Sequence, residues 1–190
     1  LDTLSGLPLR QHFVQALDRR LAQRDGLGQA LVLVRVPGLE ALNREHGHAL
    51  ADAVLRQVAG VLTRQWQAEP DTLAGRVGGA DFALCLPVGG VGKETAATLM
   101  AALHASPAGS IGGIEAVVGG VEGLAGLDGT AVLSRADEAL AHAEMVGPGS
   151  VEVRPSIQAA LLPGGARAWR EHIGQALASG RMGLSSTPVR

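Results

Sequence analysis

A chain of 190 residues, 46% hydrophobic and 18% charged, carries enough apolar mass for one globular core and part of a second, which excludes disordered and collagen-like classes. Sixteen basic and 18 acidic residues leave a formal charge of -2, and no block of like charge offers a footprint for nucleic acid or an anionic membrane. All the basic residues but Lys93 are arginine, a bias that reflects codon usage more than a phosphate-binding face.

Cys85 is the single cysteine, so no internal disulfide can form, and its apolar surroundings point to a reduced, buried thiol in a cytoplasmic chain. Residues 95–114 carry no formal charge, but His104, Ser106, Pro107, Ser110 and three glycines interrupt them, against a membrane helix. The opening LDTLSGLPLR contains charges and no sustained apolar core, so no signal peptide is visible in it.

In chain order, Phe13, Leu17 and Leu21 recur every four residues and predict a helix over about 8–24, stopped near Gly26 and Gly28. Ala30 to Val36 is apolar and β-branched at nearly every position, as suits a strand covered on both faces. Pro37-Gly38 ends it. Leu50, Val54, Val58, Val61 and Leu62 predict a second helix over about 47–65. Leu73 to Val77 and Ala80 to Leu86 read as a hairpin around Gly78-Gly79, whose tolerance of positive φ suits a tight turn.

A third helix is expected over 94–104, a glycine-loosened strand over 111–121, a fourth helix over 130–145 closed by Gly147-Pro148, and a last strand over 150–154. The order αβαββαβαβ is most economically a layered sheet covered by helices. A composition break follows at Leu162-Pro163-Gly164-Gly165, and the tail beyond it reads as the edge of a second domain.

Four stretches, in register from residue 2 to about 153, resemble the GGDEF family of diguanylate cyclase domains. Asp2 to Phe13 (DTLSGLPLRQHF) resembles the family's opening D-x-L-T-G-L-x-N-R-x-x-F, and Leu39 to Leu55 (LEALNREHGHALADAVL) its F-K-x-x-N-D-x-x-G-H-x-x-G-D-x-x-L. Arg76 to Phe82 (RVGGADF) stands at the signature, and Arg135 to Gly147 (RADEALAHAEMVG) resembles A-D-x-A-L-Y-x-A-K-x-x-G. Trp169 to Val189 is similar to the first helix and strand of EAL domains, although Thr187 stands where glutamine is usual.

The resemblance implies an α/β (α+β) fold with a palm-like, mostly antiparallel central sheet flanked by helices. It implies a GGDEF-like domain at 1–154, a linker at 155–166 and the start of an EAL domain at 167–190. In the family, two GTP-bound half-sites face each other across a dimer, and carboxylate-held Mg²⁺ activates a 3′-hydroxyl against the α-phosphate.

Carried over residue by residue, the signature falls on Gly78, Gly79, Ala80, Asp81 and Phe82, with Ala80 in place of a metal carboxylate. The other metal carboxylates fall on Arg35 and Pro37. A carboxylate exchanged for guanidinium changes the local charge by two units, and a unit charge at about 4 Å is worth roughly 4 kcal/mol at an effective dielectric near 20. Pro37 also lacks an amide hydrogen for a phosphate. Phosphate-facing lysines and an arginine fall on Glu40, Glu144 and Pro148, and the inhibitory R-x-x-D motif falls on Glu69 to Thr72. Asn43 and Asp52 keep the residue types at positions the family uses for guanine.

Bland readings stand beside these. Asp52 also suits a solvated helix position, Asn43 a local cap or turn, and Gly78-Gly79 a hairpin alone. His46 and His48 are two apart and lack a completing ligand, so no metal role is assigned. His12, His104, His142 and His172 are scattered. Pro87 to Thr95 (PVGGVGKET) fails as a phosphate loop, because Pro87 replaces its leading glycine and Glu94 its Ser/Thr. Ser5, Ser110 and Ser134 lack a pattern for nucleophilic catalysis.

The expectation is therefore a degenerate pocket that has exchanged its anionic clasp for cationic and neutral groups, with no catalytic residue, metal or cofactor, in a chain that is not an enzyme. Its expected role is a regulatory and dimerisation module for an adjoining EAL domain, as in composite GGDEF-EAL proteins of which LapD-type receptors are one branch. Expected partners are that domain, a second copy through the GGDEF or flanking helices, and cyclic di-GMP through the EAL domain, with no nucleic acid. The alternative is allosteric GTP sensing without hydrolysis, controlling an EAL phosphodiesterase.

Overall fold

Ala30–Arg35 forms β1, the middle strand of a five-stranded sheet, in a computed structural model that describes residues 1–23, 29–66, 71–87, 92–105 and 115–156. The remaining elements are helices α1 (Arg10–Gln23), α2 (Leu39–His46), α3 (His48–Trp66), α4 (Gly92–His104) and α5 (Gly129–Val146), and strands β2 (Leu73–Arg76), β3 (Asp81–Leu86), β4 (Val117–Glu122) and β5 (Val151–Pro155). Sheet order is β2-β3-β1-β4-β5. The β1–β3, β1–β4 and β2–β3 pairs are antiparallel, and β4–β5 is parallel. This is the expected mixed architecture with a mostly antiparallel sheet.

Alternation along β1 divides its side chains between two cores. Ala30, Val32 and Val34 join Phe82, Leu84 and Leu86 of β3 under α2, α3 and α4. Leu31 and Leu33 join Ala83 and Cys85 under α1 and α5, where Phe13 and Leu17 are buried. Each fully buried Leu, Val or Phe contributes about 1.5–3 kcal/mol relative to exposure, so the unbroken apolar run of β1 is what a doubly covered strand requires. Burial also pushes the Cys85 thiol pKa up, against a weaker opposing effect of Arg20.

Two expectations about local structure are corrected. Residues 39–46 form a helix of their own, too short to show more than one apolar repeat, and it packs Leu42 into the first core. Gly47, at φ 83°, closes that helix by donating its N–H to the Asn43 carbonyl at 3.0 Å. His46 and His48 thus lie on separate helices. The hairpin loop is also wider than a two-residue turn: Arg76 pairs with Phe82, and the N–H groups of Val77 and Gly78 both donate to the Asp81 carbonyl. Neither Gly78 nor Gly79 has positive φ. Gly78 is small for a different reason, since a Cβ there would lie 2.8 Å from an Asp81 carboxylate oxygen.

Pro155, expected in the linker, ends β5 and Ser156 is buried, while residues 157–166 of that linker and the EAL-like segment at 167–190 lie outside the described residues, as does the start of the strand expected at 111. Among the described residues, no helix is long and apolar enough to cross a membrane.

Gly119 of β4 sets the distance between the sheet and α5, because a Cβ there would lie 2.2 Å from the backbone nitrogen of Leu140. Backbone cannot yield as a side-chain tip can. Gly119→Ala is expected to destabilise the fold by about 3 kcal/mol, at the upper end of the overpacking range, and urea unfolding of the two chains measures it.

Candidate functional site

Only the end of β1 is polar. Arg35 is its last residue, directly opposite Asp81 on β3 and Val117 on β4. The antiparallel register places the Arg35 and Asp81 side chains within reach, and they pair through both prongs of the guanidinium. Nε donates to Oδ1 at 2.8 Å, and Nη2 donates to Oδ2 at 3.0 Å. Nη2 also donates to Asp137 Oδ1 at 3.1 Å, and Nη1 to Glu144 Oε2 at 3.0 Å. Asp137 and Glu144 are seven residues apart on α5, two helical turns, so both reach the same point.

Planar guanidinium with five N–H donors suits this arrangement, and charge-assisted bonds are roughly twice as strong as neutral ones. The bonds to Asp81, and the Asp81 and Glu144 charges, raise the Arg35 pKa against the opposing effect of burial. Its side chain is 27% exposed. The expectation of a cationic or neutral pocket is therefore corrected: one guanidinium faces three carboxylates, leaving an excess of negative charge. Sequence reasoning missed Asp137, whose seven-residue spacing from Glu144 was the available signal.

A divalent ion held in the manner the resemblance implies does not fit these residues. Arg35 occupies the point on which the carboxylates converge, and Ala80 offers only its carbonyl, which accepts from Val36 N–H at 3.1 Å. Ala80's side chain packs on the first core instead. Among the described residues, no three His, Cys, Asp or Glu side chains gather to hold a metal.

The other positions singled out in the sequence lie around this point without joining it. Pro37 and Gly38 form the turn into α2, with Gly38 at φ 73°. Glu40 is exposed in the first turn of α2, and Pro148 is exposed after α5. Phe82 is fully buried in the first core. Asp52 makes a 3.8 Å pair with Arg56 one turn along α3, and Asn43 lies on α2 with its Oδ1 shielded from water and without a hydrogen-bond partner among the described residues.

A second ion pair, also unforeseen, fastens the other flank of the signature loop. Arg76 Nη1 donates to Asp2 Oδ2 at 2.9 Å, and Nη2 donates to the Gly79 carbonyl at 2.6 Å. The same Asp2 oxygen accepts from Ser5 N–H at 2.8 Å and Ser5 Oγ at 2.6 Å. Thus the N-terminal turn and the signature loop share one carboxylate.

This geometry can now be set beside known proteins. The family model for "Diguanylate cyclase, GGDEF domain" matches residues 1–148. The chain belongs to the GGDEF family. It is 31% identical over 159 residues to the diguanylate cyclase DgcP of Pseudomonas aeruginosa, covering 80% of this chain and 23% of that protein. Over 82 residues it is 32% identical to the diguanylate cyclase DgcZ of Escherichia coli, covering 43% of this chain and 27% of that one. It therefore spans only about a quarter of those two relatives. Among solved structures, the GGDEF domain of Caulobacter crescentus DgcB in complex with c-di-GMP superposes with a TM-score of 0.72 at 28% identity, covering 80% of this chain and 91% of that one.

These comparisons overturn the expectation that the chain is not an enzyme. Its family is that of the diguanylate cyclases, and the relative matched over most of the chain carries that name. Losing carboxylates at Arg35, Pro37 and Ala80 bears on how a divalent ion can be held, and does not by itself show that a domain of this family is not an enzyme.

Asp2 supplies a pH test of the loop's anchorage. Burial pushes its carboxyl up, but the Ser5 and Arg76 hydrogen bonds outweigh this and hold the pKa at about 2, against an ordinary 3.8. A lowered folded-state pKa means that Asp2 contributes its full stability above about pH 4 and loses it as pH falls toward 2. Unfolding free energies between pH 2 and pH 5 should fall more steeply in the parent chain than in Asp2→Asn.

Proposed function

We propose that this GGDEF domain acts in cytoplasmic cyclic di-GMP signalling as a regulatory and dimerisation module for an adjoining EAL domain, in a composite protein of the kind that includes LapD-type receptors. The observation that carries the reading is the double anchorage of the signature loop. Asp2 and Arg76 bind it to the N-terminal turn, and Asp81 and Arg35 bind it to α5. A loop fixed at both flanks transmits a displacement of the N-terminal turn to α5 and β5 when its ion pairs exchange between two arrangements. The resemblance of residues 169–189 to the start of an EAL domain supports the choice of that neighbour.

In the composite parent protein, Asp2→Ala is expected to change cyclic di-GMP binding or hydrolysis by the EAL domain at least threefold. Removal of residues 1–154 should change it at least as much, and equal EAL function with and without them would overturn the proposal. GTP turnover to cyclic di-GMP, measured on the same preparations, separates dinucleotide made by this domain from an effect on its neighbour.

A second reading, allosteric sensing of a guanine nucleotide, is favoured by Asn43 Oδ1, which is shielded from water and has no hydrogen-bond partner among the described residues. An unmet buried acceptor costs about 1–3 kcal/mol, which a ligand N–H would recover. Calorimetric titration with GTP is expected to show micromolar binding that Asn43→Ala weakens at least tenfold. No heat up to millimolar GTP would leave the regulatory module alone.

A further inference from the structure

Divalent-ion chemistry in this family needs a cation where β1 ends, and the chain already has one there. The Arg35 guanidinium is bonded to carboxylates from two directions, Asp81 on the neighbouring strand and Asp137 with Glu144 on the covering helix. Four of its five N–H groups have oxygen acceptors within 3.1 Å. We propose that Arg35 is the resident cation of this site, holding β1, β3 and α5 together in place of a divalent ion, so that the packing of these three elements is independent of divalent ions.

Charge decides between this role and that of an incidental surface pair. Asp137 is 61% exposed and its single bond to Arg35 contributes little by itself. Asp81 is different, because it is 25% exposed, binds both prongs of the fork and starts the strand next to β1. Without Arg35, the carboxylates would face one another without a counter-charge, and like charges repel. Removing the positive charge should therefore do two things together: loosen α5 from the sheet and create an affinity for a divalent ion that the parent chain lacks.

The experiment uses the full 190-residue chain, freed of metal by chelation and titrated with Mn²⁺ while paramagnetic relaxation and the thermal midpoint are followed. The parent chain should show no saturable Mn²⁺ effect at Asp81, Asp137 or Glu144 and no shift of its midpoint. Arg35→Asp should be less stable when metal-free, bind Mn²⁺ at least tenfold more tightly than the parent, and recover stability with the metal. Arg35→Met is the variant to use if Arg35→Asp does not fold, since it removes charge at similar volume, and Arg35→Lys should stay insensitive to Mn²⁺. Saturable Mn²⁺ binding by the parent chain at these carboxylates, or a gain of less than tenfold in the charge-removing variant, would overturn the proposal. Both readouts are independent of GTP turnover and of any EAL domain, so this result stands apart from the test of the regulatory reading.

Discussion

A strand buried on both faces can carry chemistry only at its ends, and this constraint on β1 organises the site. From Ala30 to Val34 every side chain is committed to one core or the other. Arg35 is the first position where the covering helices leave room for a polar group, and its antiparallel register fixes Asp81 as the group it meets. The helix α5, held close to the sheet at Gly119, then brings Asp137 and Glu144 to the same point. Position precedes chemistry here: the packing of the sheet determines which residues can meet, and their charges determine what they do.

Partial burial is what makes the Arg35 cluster matter. A fully exposed pair would be screened by water and salt to about 0–1 kcal/mol, and a fully buried one would lose much of its Coulomb gain to desolvation. Arg35, Asp81 and Glu144 lie between those limits, and the planar fork satisfies Asp81 without leaving either of its oxygens unpaired. Asp137 contributes mainly to the sign of the field, because most of its carboxylate faces solvent.

Much of the fold was legible because its signals were local and strong. The apolar run of β1, the four-residue repeat of Phe13 and Leu17, and the glycine that closes α5 each act over a few residues. The α2 helix was not legible, since Leu39 and Leu42 span a single turn and the deciding feature was a backbone reversal at Gly47. The site was legible in position but not in composition. Arg35, Asp81 and Glu144 each stand out in the sequence as departures from the family pattern, but no local pattern shows that residues 35, 81, 137 and 144 meet. Reading inactivity from lost carboxylates failed because it reasoned from single positions, and which groups meet at a site is set by the fold.

The two ion pairs around the signature loop share a logic that neither shows alone. Arg76 ends β2 and Asp81 begins β3, so the loop between them starts at a positive residue and finishes at a negative one. Each is bonded away from the other, Arg76 to Asp2 and Asp81 to Arg35, and the loop is spread between two anchors instead of being closed by its own charges. Arg76 also holds the Gly79 carbonyl, fixing the loop's tip to the same anchor as the N-terminal turn. A displacement at residue 2 must therefore either carry the loop with it or break a bond to Arg76. Because Asp81 belongs to the same loop and to the Arg35 cluster, the N-terminal turn is joined to α5 through two ion-pair clusters and the backbone of the loop between them.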